Sequence, residues 1–426
     1  MCAFSAEAVL LSSFRMKPVI PLILAAAWLS PLHAAETLPA GPAGQAAQAV
    51  PAVVRSEAQL NQALASGRPT PLDALTPYGR HRLLHSIAWG QRGMMGFSTA
   101  PLQRELDVTQ LDAILRFLDL TEYRAALAGG MNGPPLRLPQ PSMEVVRRLE
   151  SLEDFNDKIR RRRMDAASTT LGTPEVLQRY RKGFAERMGP QALARQPLGD
   201  LLPLFDAANL AAFDNPGSAA LDQLLLVHAD LNARGVDTRR VLDKSVLEAM
   251  LAARRFEQAR GFAATRPHLD AGAVPHVADP LAPGFRGRSV FAYDAARNTL
   301  TRQAVPPPPG AELVMVVGAG CHFSRDALDA IGNDPALQKR LRDAKLLLLT
   351  PPTEAPSLRF VADWNAGHAA LPMRIPFEAR EWQGIDMPGV PAFYLLKEGK
   401  VVARHRGWAG EEDRAALLKL LDAAGR

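Results

Sequence analysis

Apolar residues recur at spacings of three and four from residue 56 to about residue 267, with hardly a strand-like run among them, and beyond residue 271 short β-prone runs take over. A period that changes once along the chain demands two kinds of layer. The expected fold class is therefore an α+β multidomain protein, an N-terminal all-helical domain followed by an α/β domain with a mixed sheet. Helix starts are written at Thr76-Pro77 and Thr173-Pro174, where a capping hydroxyl precedes a first-turn proline, and at Asp107 with Thr109. Residues 110–120 and 220–231 hold enough Leu and Ile to face a shared core. At 426 residues, 47% hydrophobic and 22% charged, the chain is globular in composition and long enough for several domains. Its net charge of +6 is too thin over that length to imply nucleic-acid binding.

Residues 241–253 and 256–264 form two helical segments around Arg254-Arg255, and the run 247–267 is similar to one helix-turn-helix unit of tetratricopeptide-type repeats. Only one unit is readable, and such repeats need about three stacked copies, so a packed helical domain is expected rather than an array. After the Pro- and Gly-bearing stretch 271–287, the runs 289–293 and 299–305 suggest a hairpin, and the four prolines at 306–309 a stiff connector. Strands are then expected at 312–317, 345–350, 392–396 and 401–406, with helices at 325–331, from Asp334-Pro335, at 357–365 and at 410–424. The first two strands should be parallel, the last two an antiparallel hairpin around Gly399, and helices should cover both faces. The expected divisions are 1–35 leader, 36–55 Ala/Pro/Gly linker, 56–270 helical domain, 271–310 hairpin and connector, and 311–426 the α/β domain.

Residues 16–36 read as a secretory leader: a basic start at Arg15 and Lys17, an apolar run over 19–29, then small residues, with cleavage after Ala34 or Ala35 and Met16 as the expected true start. The apolar run falls well short of the ~20 residues that span a bilayer, so no membrane anchor is expected, nor an integral segment elsewhere. Cys2 lacks the preceding residues of a lipid-attachment site, and it leaves with the leader. Of the 2 cysteines, only Cys321 then remains, so the expected periplasmic protein cannot form an internal disulfide.

Cys321 stands at the end of the first predicted strand of the last domain, in Gly320-Cys321-His322-Phe323-Ser324, and runs straight into a helix. Unpaired N–H groups and the positive end of the helix dipole favour thiolate over thiol there, which makes Cys321 a candidate nucleophile. About seventy residues on, Met387-Pro388-Gly389-Val390-Pro391-Ala392-Phe393 precedes the hairpin and terminal helix. Together these features resemble the thioredoxin-like fold family over about residues 311–426, with the active-site turn followed by a Gly-Val-Pro segment. The resemblance implies a cis Val390-Pro391 bond facing the sulfur, with Val390 and Pro391 holding an extended client segment, and His322 as the nearest cation. It also exposes departures. Ser324 stands where the second cysteine belongs, giving C-x-x-S, and Met315 stands where thioredoxins proper keep a buried acid. An alcohol cannot expel a mixed disulfide, so release would need an outside thiol; Ser324 can donate a hydrogen bond to the thiolate.

Other clusters read more plainly. The basic run 158–163 is flanked by Glu150, Glu153, Asp154, Asp157 and Asp165 and reads as a solvated helix face. His81 and His85 lack the partners of a metal motif, Gly90, Gly93 and Gly96 around Trp89 and Phe97 read as a mobile loop, and no Walker pattern occurs, so no cofactor or metal is expected. Two functions stay open: an exported single-cysteine protein in thiol-disulfide exchange or mixed-disulfide capture of envelope clients that carry cysteines or disulfides, or a non-enzymatic envelope scaffold with a degenerate thioredoxin-like module. The oligomeric state is open. Mass analysis of the mature protein should find its N-terminus at Ala35 or Glu36; an intact leader on a cytoplasmic protein would refute the export reading.

Overall fold

The computed structural model describes residues 53–90, 93–165, 174–319, 321–351, 358–387 and 389–425. The leader with Ala34 and Ala35, Cys2, residues 37–52 of the linker, Thr173, Gly320, Ser357 and Pro388 lie outside the described residues, as do the side chains of Arg160 to Arg163.

The N-terminal half contains α1 (Glu57–Ala65), α2 (Pro77–Ser86), α3 (Ala100–Glu105), α4 (Val108–Phe117), α5 (Arg124–Ala128), α6 (Met143–Asp165), α7 (Pro174–Phe184), α8 (Pro190–Ala194), α9 (Leu201–Asp214), α10 (Ala219–Ala233), α11 (Leu242–Ala252) and α12 (Phe256–Ala264). Its start signals behave as their chemistry requires. Thr76 caps α2 through the Gly79 N–H with Pro77 in the first turn, and Asp107 forms a reciprocal capping box with Gln110 at α4. Two apolar cores lie here, one around α4 with Leu111 and Ile114, the other around α9 and α10 with Phe205 and Leu224. The half is not all-helical. Residues expected as a mobile glycine loop form strands β1 (Ala88–Gly90) and β2 (Gly93–Gly96), an antiparallel ribbon with a register shift after Ala88. His81 lies 2.6 Å from Glu150 and His85 3.6 Å from Asp154, while Arg82 pairs with Glu153; of the acidic flank, Glu150 and Glu153 turn towards α2, whereas Asp154 and Asp157 stay exposed.

At the end of this half, one carboxylate ties three elements. Asp243 of α11 lies 2.6 Å from His228 Nε2 of α10 and 2.7 Å from His268 Nε2 beyond α12. Burial works to raise its carboxyl pKa, but hydrogen bonds from His228 and Thr238 and the charges of His228 and Arg266 outweigh it and hold the group below its ordinary value.

The C-terminal half contains β3 (His276–Ala278), β4 (Ser289–Asp294), β5 (Thr299–Ala304), β6 (Ala311–Val316), α13 (His322–Gly332), α14 (Pro335–Asp343), β7 (Leu347–Leu349), α15 (Leu358–Gly367), β8 (Met373–Pro376), β9 (Ala392–Lys397), β10 (Lys400–Arg406) and α16 (Glu411–Ala424). The eight strands form one mixed sheet in the order β10-β9-β6-β7-β8-β4-β5-β3. β6, β7 and β8 are parallel, and β9 runs antiparallel to both β6 and β10. The four strands β10-β9-β6-β7 carry α13 and α16 on one face, in the order that places β6, which leads to Cys321, at their centre.

Three expectations need correction. Residues 373–376 form a strand that the prolines at 372 and 376 hide from a propensity reading. The hairpin expected at 289–305 forms as β4–β5, but it is built into the sheet rather than standing before it, because β4 pairs with β8. The helices do not cover both faces: Leu313, Met315 and Val317 share a core with Leu328 of α13, Leu337 of α14, Val361 of α15 and Leu417 of α16. Both crossovers step the same way along the sheet, β6 to β7 to β8, and right-handed crossovers in one direction put their helices on one side. Val314, Val316, Tyr394 and Leu396 look the other way, onto Trp382, Ile385 and Met387 of the segment before β9.

The helical half meets the sheet through Arg254, between α11 and α12. Its Nε donates to the Phe377 carbonyl at 3.0 Å and its Nη2 to the Pro376 carbonyl at 2.8 Å. Phe256, the first residue of α12, sets its ring edge-on to Phe291 of β4, which meets Phe377 in the same manner. Burial pulls the Arg254 guanidinium down to about 10, with Glu378 pushing back. Arg254→Ala should lower stability by about 2–3 kcal/mol, since two carbonyls lose charged donors. Arg254→Gly should lower it less, because Arg254 occupies a left-handed backbone conformation at φ 62°. Denaturant melts of the three proteins test this.

Asp243→Asn should also destabilise at pH 7. A carboxyl held below its unfolded pKa of ~3.9 contributes stability that is present above that value and fades as pH falls through the folded pKa. The gap between wild type and Asp243→Asn in denaturant melts should therefore narrow below pH ~4.

Candidate functional site

β6 delivers the chain to the site. Its alternation ends at Val317, whose N–H still bonds the Leu349 carbonyl of β7 at 2.9 Å, and small residues then lead to Cys321. Cys321 is the N-cap of α13, with extended backbone at φ −94° and ψ 117°, and its carbonyl accepts from the N–H groups of Ser324 and Arg325. The N–H groups of His322 and Phe323, in the same first turn, take no backbone partner among the described residues. The sulfur is half-buried at the positive end of an 11-residue helix.

The Gly-Val-Pro segment comes to the sulfur as the resemblance implies. The Val390-Pro391 bond is cis, and the Cys321 thiol donates to the Val390 carbonyl across 3.6 Å. Pro391 is buried, Val390 is partly exposed, and the Pro391 carbonyl accepts from the Gly407 N–H at 2.9 Å. Among the described residues, no backbone hydrogen bond holds the Val390 N–H. One backbone carbonyl thus lies beside one sulfur, in a residue whose N–H takes no backbone partner among the described residues.

Two predicted residues behave otherwise. Ser324 is wholly buried, and its Oγ accepts from the Gly318 N–H at 3.1 Å rather than donating to the sulfur. It joins the end of β6 to the first turn of α13, satisfying a buried amide that the small residues around it cannot reach. His322 is exposed and lies over Phe323, ring centroids 3.8 Å apart, without a hydrogen bond to Cys321 among the described residues. Met315 is buried in the helix-covered core. A buried acid on β6 is instead Glu312, on the opposite face, paired with Arg288 at 2.7 Å.

Sequence reasoning missed Arg406, Asp386 and Tyr394, which stand behind the Gly-Val-Pro segment. Arg406 pairs with Asp386, and the Tyr394 hydroxyl donates to the Asp386 carbonyl at 3.0 Å while accepting its N–H at 3.2 Å. Nothing in their spacing announces this, because the contacts cross from one strand to the loop before another. Among the described residues no group of three or more His, Cys, Asp or Glu is placed to hold a metal, and no helix is long and apolar enough to cross a membrane.

No family model matches the chain, and no curated protein matches it. Solved structures give three likenesses, two of which are as follows. The C-terminal domain of an uncharacterized protein from Bacteroides fragilis is 16% identical at a TM-score of 0.23, with 34% of this chain and 96% of that one covered. A thioredoxin-like protein from Bacteroides caccae is 14% identical at a TM-score of 0.22, with 68% of this chain and 99% of that one covered.

Ser324→Ala should cost about 1–3 kcal/mol, the usual cost of an orphaned buried amide. The rate at which a small neutral reagent alkylates Cys321 should not change. A fall in that rate without a fall in stability would show that the hydroxyl serves the sulfur after all.

Proposed function

We propose that this chain is an exported, periplasmic thiol-disulfide exchange protein that works with one sulfur. The observation that carries the reading is the Cys321 sulfur at the start of α13, 3.6 Å from the carbonyl of Val390. A client's extended segment would pair with the Val390 backbone and bring its disulfide to Cys321. The Cys321 thiolate attacks one client sulfur, a new S–S bond forms, the client bond breaks, and the other client sulfur leaves as a thiolate. A small thiol or dithiol of the envelope then attacks the mixed disulfide and returns Cys321 as a thiolate, because Ser324 offers no second sulfur. The helical half would select clients, and the leader at residues 16–36 supports the export reading.

The buried role of Ser324 favours one further reading, a scaffold in which the thioredoxin-like module only packs. Thiol reactivity separates the two. Under the exchange reading, wild type accumulates Cys321-dependent adducts on non-reducing electrophoresis of envelope fractions, and Cys321→Ala shows none. Ser324→Cys should convert those adducts to an internal disulfide between position 324 and Cys321, one helical turn apart. Wild type free of adducts, with Ser324→Cys keeping two free thiols under oxidising conditions, would leave the scaffold reading standing.

A further inference from the structure

The Val390 carbonyl owes its place beside the sulfur to a pair of residues that never touch Cys321. Arg406, the last residue of β10, lies half-buried behind the Gly-Val-Pro segment, with its Nη2 on the Asp386 carboxylate and its Nε closed off from solvent. A Cβ built on Gly389 would stand 3.4 Å from the Arg406 Cζ, so the guanidinium rests directly against the Gly389 backbone. Asp386 is itself only 7% exposed, and both its N–H and its carbonyl are held by the hydroxyl of Tyr394 on β9. Met387 is buried in the core on that face, and the Gly407 N–H, next to Arg406, closes on the Pro391 carbonyl. The segment is therefore gripped before and after Val390 by the end of one hairpin. Val390 itself keeps one carbonyl near the sulfur and an N–H without a backbone partner among the described residues.

The geometry points to Arg406 and Asp386 as positioning residues that hold the Val390 backbone in register with Cys321, so that the site favours disulfides carried on extended peptides over small disulfides of equal reactivity. This rests on the exchange reading above. A half-buried ion pair suits the task, because losing either partner leaves an uncompensated charge and frees the loop to move. Misplacement of a docking backbone by about 1 Å can cost up to about 100-fold in rate. A small disulfide needs only access to the sulfur.

The test uses the full chain and two disulfides with the same pyridinethiol leaving group, one on an extended peptide cysteine and one small and neutral. In each, the Cys321 thiolate forms a bond to one sulfur and the pyridinethiolate departs, which is read by its absorbance. Arg406→Gln and Asp386→Asn should each slow the peptide reaction about 10- to 100-fold and leave the small disulfide unchanged. The double variant should be no slower than either single one, since both remove one interaction. Tyr394→Phe, which keeps the ring and drops the hydroxyl, carries the same expectation should Arg406→Gln fail to fold. An unchanged peptide rate, or equal falls with both disulfides, overturns the positioning role while leaving the exchange reading intact. A wild type that reacts with neither disulfide overturns the exchange reading and this inference with it.

Discussion

The guanidinium of Arg254 is the point on which the two halves depend. A cation with its Nη1 shut off from both solvent and partners is costly, and its backbone sits in a left-handed conformation that a non-glycine residue avoids. What offsets these costs is its reach. It donates to two consecutive carbonyls at the end of β8, and it lies 5.6 Å from the ring of Phe291 on β4. The strand it holds is the joint of the sheet, since β8 pairs with β7 on one side and β4 on the other. Without that joint the strands around β6, which leads to Cys321, and the hairpin β4–β5 would be two sheets.

Buried arginines repeat this logic through the C-terminal half. Arg302 of β5 reaches Asp279, Glu381 and the Ser289 hydroxyl, and Arg288 pairs with Glu312 of β6. Each joins separate elements, and the planar guanidinium can serve several oxygens at once. Arg406 does the same beside the sulfur. Beside Cys321 this leaves a backbone carbonyl held opposite the sulfur and, in Ser324, a hydroxyl whose work is to finish the strand.

Much of the site was legible before any coordinates. Cys321 at a strand-to-helix junction, and Val390-Pro391 ahead of a hairpin, are local patterns, and the structure brings them to within 3.6 Å. The role of Ser324 was not legible, because a hydroxyl one turn into a helix has two partners in reach. Only the path of Gly318 decides between them. Arg406 and Asp386 were invisible for a different reason: they lie twenty residues apart, one at the end of a strand and one in the loop before another, and no spacing rule pairs such positions.

The amino-acid sequence by itself determined what depends on neighbours a few residues apart: the caps at Thr76 and Asp107, the helices α11 and α12 on either side of Arg254-Arg255, the strands β6, β9 and β10, and Cys321 at a helix start. Tertiary structure alone decided what depends on residues brought together from far along the chain. It made a strand of Met373–Pro376, whose flanking prolines argue against one until β4 and β7 supply partners. It turned Gly90, Gly93 and Gly96 into a paired ribbon, and it put all four helices of the last domain on one face. Periodicity tells which side of a strand is apolar, but the direction of each crossover along the sheet, and so the side each helix covers, exists only once the strands have an order.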